Sequence, residues 1–208
     1  MDYLTLAIAT GRTAKQAIKL LEKTGLYFPD YHNKSRKLVI FDSTNTIKLI
    51  FVKTADLTTY VVKGAADIGV IGKDTLMEEQ PDVYELVDLN VSKCQLAVAG
   101  FPDQQYQNGK HLTVATKYIN MTKAFFDEKG IRVEIIKLNG SIELAPLLGL
   151  SDVIVDIVET GTTLKENGLV VLDKVAEVSA RLIVNKASYA TKTSEVEYFI
   201  KELKAVLE

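Results

Sequence analysis

The densest chemistry in the chain lies at residues 156–168, DIVETGTTLKENG, where three acids, two glycines and three threonines follow an apolar run. A phosphate is best held by several backbone N–H groups at a helix N-terminus. Hydroxyls help, as does a glycine that lets the backbone approach closely. Thr160, Gly161, Thr162 and Thr163 offer these groups directly after a strand-like stretch. Asp156 and Glu159, three positions apart, suit two adjacent ribose hydroxyls. Phosphate donors at one end and carboxylates at the other match a ribose 5-phosphate. The same residues also describe a capped helix start with solvated acids, and the loop alone leaves both readings open. Neither GxxxxGK[ST] nor GxGxxG occurs, so this is not a Walker A loop or a dinucleotide fingerprint.

The flanking sequence must position that loop. Apolar runs alternate with helix-period segments along the whole chain. LTLAIA, KLVIFDS, IKLIFVK, ADIGVIG, YELVDL, CQLAVAG, LTVAT, RVEIIKL, DVIVDIV, GLVVLDKV and SARLIVNKA read as strands. TAKQAIKLLEKTG, LTTYVVKG, TLMEE, NMTKAFFDEKG, SIELAPLLG, TTLKENG and SEVEYFIKELKAVLE read as helices. Capping-box spacing falls at Thr13 with Gln16, Thr163 with Glu166 and Ser194 with Glu197; Asp56, Asp74 and Asn120 are further candidate caps. Such alternation implies an α/β fold with mostly parallel sheets and short loops. No Gly/Ser or Pro linker divides the chain.

One internal echo suggests two similar lobes. In GAADIGVIGKDTL from Gly64 and GLSDVIVDIVETGTTL from Gly149, a glycine ends a helix and an aspartate follows three positions later. An apolar strand then leads through a polar turn into a helix. Ligands of open α/β sheets sit at the carboxyl ends of strands, so both turns are candidate walls of a common cleft. The first turn carries Gly72, Lys73 and Asp74. The reading assigns 1–89 plus 180–208 to lobe I, on the nucleotide side, and 90–179 to lobe II, with the phosphate loop.

Composition narrows the function. The 208 residues carry 25 basic and 27 acidic side chains, a net charge of −2. No global basic field for nucleic acid exists, and an anionic ligand must be met by locally placed cations. The single cysteine, Cys94, allows no internal disulfide and reads as a buried small hydrophobe. His32 and His111 are too few for a zinc site. The N-terminus lacks a basic segment followed by a long apolar one, and no apolar run approaches membrane-spanning length. The expectation is a cytoplasmic protein that engages neither membrane nor nucleic acid.

Residues 143–164, ELAPLLGLSDVIVDIVETGTTL, resemble the signature of the ATP phosphoribosyltransferase family. Glu143, Gly149, Ser151, Ile154, Asp156, Ile157, Thr160, Gly161, Thr163 and Leu164 all fit its pattern. DLTTYVVKGAADIGVIGKDTL, KCQLAVA, VATKYIN, GIRVEIIKLNGSIELAP and VSARLIVNKAS extend the likeness over nearly the whole chain. Four positions depart. The family's Lys-Gly-Arg-Leu turn is TGRT here, with Thr10 in place of the lysine. A frequent arginine is Lys53, which keeps the charge but not the bidentate fork. Two family prolines are Thr58 and Ile119.

The resemblance implies a two-lobed, periplasmic-binding-protein-like α/β fold. It implies transfer of the phosphoribosyl group from phosphoribosyl pyrophosphate to N1 of the adenine of ATP, with inversion and release of pyrophosphate. This is the first step of histidine biosynthesis. Mg²⁺ is expected through the substrates rather than on protein ligands. The chain stops where the family's short form stops, without a C-terminal regulatory domain. Short-form members work with a subunit resembling histidyl-tRNA synthetase, in a hetero-octamer. Thr160, Gly161, Thr162 and Thr163 are assigned to the 5-phosphate, Asp156 and Glu159 to ribose hydroxyls, and Glu143 to ribose or Mg²⁺-linked groups. Arg12 and Lys53 are the candidates where charge develops on pyrophosphate. Gly11, Gly72, Lys73 and Asp74 are assigned to the ATP side, and Lys93 and Lys117 are weaker candidates. The rival readings are a non-catalytic solute-binding protein, a phosphoribosyltransferase using another nucleophile, and a regulatory paralogue without catalysis.

Overall fold

Strands and helices alternate through the computed structural model, which describes residues 3–32, 35–104 and 111–207. In chain order they are β1 (Leu4–Ala9), α1 (Arg12–Lys23), β2 (Val39–Phe41), β3 (Ile47–Val52), α2 (Thr54–Val62), β4 (Ile68–Gly72), α3 (Lys73–Glu79), β5 (Tyr84–Asp88) and β6 (Cys94–Gly100). There follow β7 (Leu112–Thr116), α4 (Ile119–Glu128), β8 (Val133–Lys137), α5 (Leu144–Leu147), β9 (Val153–Val158), α6 (Thr162–Glu166), β10 (Val170–Val178), β11 (Ala180–Val184), α7 (Lys186–Thr191) and α8 (Thr193–Ala205). The chain forms two units. The first is Met1–Leu76, Gln80–Ser92 and Ser179–Glu208; the second is Met77–Glu79 and Lys93–Val178. Relative to the sequence reading, residues 77–79 group with the second unit, and 90–92 and 179 with the first.

The first unit is built on a sheet of order β2-β3-β1-β4-β11-β5. Leu4, Leu6 and Ile8 of β1 pack with α1 and α8 on one face, while Ala7 and Ala9 pack with α2 on the other. A strand covered on both faces has no polar side to show, hence the unbroken run LTLAIA. The second unit's sheet has order β10-β6-β9-β7-β8. Leu96, Val98, Val153 and Val155 meet Met121 and Phe126 of α4 on one face; Ala97, Ala99 and Ile154 meet Ala145 and Leu164 on the other.

Both sheets are mixed rather than mostly parallel. β3, β1 and β4 run parallel, as do β8, β7 and β9. The other pairings, β2 with β3, β11 with β4 and β5, and β6 with β9 and β10, are antiparallel. β5 and β6 are consecutive strands in different sheets, as are β10 and β11, so the direction of each is set by where the chain enters its sheet rather than by a crossover within one sheet. The order of elements along the chain does not say which sheet a strand joins.

The echo is a structural repeat. Gly64 and Gly149 take left-handed φ values of 71° and 68° at the ends of α2 and α5, a conformation glycine adopts without a Cβ penalty. Asp67 donates its N–H to the Thr5 carbonyl at 2.9 Å, and its carboxylate accepts the Thr5 N–H at 2.8 Å. Asp152 does the same with Thr113, at 2.9 and 2.8 Å. In each unit an aspartate before one strand thus clasps the start of its parallel neighbour.

Several caps differ from expectation. Gly11, Lys53, Gly72, Gly161 and Lys192 stand at the N-caps of α1, α2, α3, α6 and α8, and none makes a side-chain capping bond. Thr13, Asp56, Asp74, Thr163 and Ser194 lie inside the first turns instead. Gln16 accepts the N–H and hydroxyl of Ser92, at 2.8 and 2.6 Å, so tertiary packing has drawn it out of the capping box. Asn120 is also inside its helix, and α4 is capped from a distance. The Glu78 carboxylate accepts the N–H groups of Asn120 and Met121 at 3.0 and 3.1 Å. The short helix α7, capped by Asn185, begins within the segment SARLIVNKA expected as strand and continues to Thr191. Cys94 is half-buried rather than buried.

Candidate active site

In the second unit, β9 delivers Asp156 and the loop that follows. Along β9, Val153, Val155 and Ile157 face one layer, Ile154 and Val158 the other. Asp156 takes a position on the second face near the strand's carboxyl end, where it is half-exposed. One of its oxygens accepts the Ile157 N–H at 2.8 Å. Gly161 is at the N-cap of α6 with φ 71° and ψ 4°. This left-handed residue turns the chain so that the first amides of α6, unpaired within the helix, face back toward the loop. The Thr160 and Thr162 hydroxyls lie 3.0 Å apart, and Thr160, Thr162 and Thr163 are exposed.

Because β8, β7 and β9 run parallel in adjacent positions, their carboxyl ends share one edge. Glu143 follows β8 at the N-cap of α5, half-buried. Lys117 follows β7, its ammonium 4.8 Å from the Tyr118 ring centroid. Lys93 precedes β6, whose Gln95 pairs with Val158. The fold therefore brings Glu143, Asp156, Glu159, the threonine loop, Lys93 and Lys117 to the same sheet edge. Carboxylates, hydroxyls, backbone amides and cations there are the groups a sugar phosphate requires.

The first unit gathers the other candidates in the same way. β3, β1 and β4 end side by side, and their carboxyl ends carry Lys53, Gly11 with Arg12, and Gly72 with Lys73 and Asp74. Gly11 has φ 113°, a backbone that side chains disfavour. Arg12 and Lys53 are exposed. Lys73 is half-buried with its ammonium 2.6 Å from Glu85, so its charge is already met. Asp74 lies in the first turn of α3, where the helix dipole favours an acid. Its carboxylate folds over the α-carbon of Gly72.

A cavity of about 430 Å³ opens at this edge between Gly11, the start of α1 and the segment before β2. Lys15 and Arg36 line it beside Tyr31 and Phe51, whose rings stack 5.9 Å apart at 15°. Burial, with the Glu22 carboxylate nearby, pushes the Tyr31 phenol above its usual value, so it stays a neutral donor. Sequence reasoning missed Lys15, Tyr31 and Arg36. The available signal was the basic cluster of residues 34–37, KSRK, in a polar stretch between helix and strand.

A sequence model of the ATP phosphoribosyltransferase (HisG) family matches residues 53–205. The chain belongs to the ATP phosphoribosyltransferase family. An ATP phosphoribosyltransferase from Clostridioides difficile is 52% identical over 202 residues, 97% of each chain. Among solved structures, the ATP phosphoribosyl transferase (HisG:HisZ) complex from Thermotoga maritima superposes with a TM-score of 0.82 at 37% identity, covering 98% of both chains. The periplasmic aliphatic sulphonate binding protein SsuA from Escherichia coli gives a TM-score of 0.63 at 12% identity, over 100% of this chain and 73% of that one. That likeness is one of fold alone, the two-lobed α/β class. ATP phosphoribosyltransferases are pentosyltransferases: they join the phosphoribosyl group of phosphoribosyl pyrophosphate to N1 of the adenine of ATP and release pyrophosphate. This reaction, the first of histidine biosynthesis, is the activity of this chain.

Proposed function

We propose that the threonine loop after β9 holds the 5-phosphate of phosphoribosyl pyrophosphate, with Asp156 and Glu159 on its ribose hydroxyls and Glu143 beside them. One observation carries this reading. The left-handed Gly161 opens α6 between the Thr160 and Thr162 hydroxyls, which lie 3.0 Å apart, with Thr163 exposed in the same turn and Asp156 on the preceding strand. In the first unit, Gly11, Arg12 and Lys53 receive the polyphosphate charge, and Lys15 and Arg36 extend that cationic wall along the cavity beside Gly11. Adenine N1 is a modest nucleophile. Alignment of the two substrates can supply up to about 7–11 kcal/mol of the barrier reduction, and fixed cations stabilise charge growing on the leaving pyrophosphate. No covalent intermediate is required.

Mg²⁺ enters as the substrate complex and neutralises pyrophosphate oxygens. The chain works with a regulatory subunit of the HisZ kind, resembling histidyl-tRNA synthetase, in a hetero-octamer in the cytoplasm. The likeness to the Thermotoga maritima HisG:HisZ complex supports that partner, and among the described residues no helix is long and apolar enough to cross a membrane.

The test is the ultraviolet absorbance of the product, followed with ATP, Mg²⁺, phosphoribosyl pyrophosphate and saturating partner subunit. Asp156→Asn and Thr163→Val should both depress the rate. Full activity in both variants would refute the site assignment.

A further inference from the structure

In the first unit a cavity lies at each end of β1. The one at its carboxyl end is the cationic cavity described above. The other, of about 710 Å³, lies at the amino end, beside Leu4. Six residues of strand separate them, about 20 Å, so occupancy of one does not obstruct the other.

We propose that this second cavity is a binding site for a small organic cation with an apolar body. Its floor is apolar: Leu4 and Ile47 open β1 and β3, and Phe199 of α8 packs beside them, with Leu26 from the segment after α1. Its charge is of one sign. Glu195 and Glu202 line it, and among the described residues no lysine, arginine or histidine does. Neither carboxylate takes part in an ion pair or hydrogen bond among the described residues. Seven positions apart, they lie on one face of α8 with Tyr198 and Phe199 between them. Glu195 has a local reason to be there, in the first turn of its helix, where the dipole favours an acid. Glu202, near the other end of α8, has none. The carbonyl end of α1 adds to the same potential, since its C-cap Thr24 and Gly25 border the cavity.

The chemistry follows from these groups. The volume is within the range of small-molecule sites, about 300–1,000 Å³, which combine an apolar lining with a few charged or polar groups. An ammonium or guanidinium would sit at the two carboxylates, within reach of the exposed Tyr198 ring, and an aliphatic or aromatic body would cover Leu4, Ile47 and Phe199. An anion would meet two carboxylates and a helix C-terminus, with no cation in return.

The experiment is a titration of the full chain, followed by amide NMR, with 4-phenylbutylamine and with 4-phenylbutanoate. These probes share one apolar body and carry opposite charge. The amine should saturate, shift the signals of Thr24, Leu26 and Tyr198, and bind at least about tenfold more tightly than the carboxylate. In the double variant Glu195→Gln, Glu202→Gln, amine affinity should fall about tenfold. Phosphoribosyl transfer should be unchanged, because neither glutamate belongs to the substrate site; that activity also reports correct folding. The proposal is overturned if the two probes bind alike, if the shifts map elsewhere, if the variant keeps the amine's affinity, or if the amine does not saturate by about 10 mM.

Discussion

Thr163 and Asp156 are close in the chain but have different roles in the proposed site, and their variants should separate. Thr163→Val keeps the shape and removes one hydroxyl from the phosphate loop. The loss of one hydrogen bond to a charged group, about 1.5–3 kcal/mol, should raise KM for phosphoribosyl pyrophosphate by about tenfold or more in steady-state assays. Asp156→Asn should lower kcat/KM for phosphoribosyl pyrophosphate by about 100-fold if the carboxylate holds the ribose as its oxocarbenium character grows. Gly161→Ala tests the backbone. At φ 71° an added Cβ costs about 1 kcal/mol, so the loop should loosen, and thermal melting should show a small loss alongside the weaker binding. Asp67 supplies the pH dependence. Burial alone would raise its pKa, but the Thr5 N–H, the Ser188 hydroxyl and the Lys192 ammonium outweigh burial and hold it below the usual value. A depressed carboxylate contributes stability that is complete above its unfolded pKa, about 3.9, and is lost as pH falls through the folded one. Denaturant melts should therefore weaken below about pH 4, and Asp67→Asn should flatten that limb while lowering stability at pH 7.

At the scale of elements, the parallel trios β3-β1-β4 and β8-β7-β9 do the positioning, since each places three carboxyl ends on one edge. The aspartate clasp fixes their register in both units, which explains why the Gly–x–x–Asp spacing recurs at 64–67 and 149–152. Helix α4 has a different support: its first amides are satisfied by Glu78 rather than by a residue of its own. Removing a capping side chain costs about 1 kcal/mol. Glu78→Ala should therefore lower stability by that amount and speed amide hydrogen exchange at Asn120 and Met121 first. If those amides keep wild-type protection, the remote cap is not what secures the helix.

For the whole molecule, the chain spans nearly the full length of its relatives, and the proposed partner is tested by assembly. Light scattering of the chain mixed with a HisZ-type subunit should show one larger species, and histidine should inhibit the mixture but not this chain alone. A single inhibited species without the second subunit would overturn the proposed division of labour. The net charge of −2 gives no general attraction for anionic substrates, so in the proposed site that task falls to the local cations Arg12, Lys15, Arg36 and Lys53. Each should contribute a salt-sensitive share of substrate affinity.

The sequence by itself determined the alternation of strands and helices, the phosphate loop with its obligatory glycine, the internal echo and the family. All of these are written in local spacing: apolar period, a left-handed glycine, an acid three positions after a helix stop. It misread the caps at Thr13 and Asn120, because Gln16 and Glu78 answer to partners 76 and 42 positions away. It also missed the antiparallel strands, whose direction depends on where the chain re-enters each sheet. Only the tertiary structure gathered Lys15, Tyr31, Arg36 and Phe51 around one cavity, and Glu195 and Glu202 around another. A cavity is made by residues distant in sequence closing around a space, and no local period records that space.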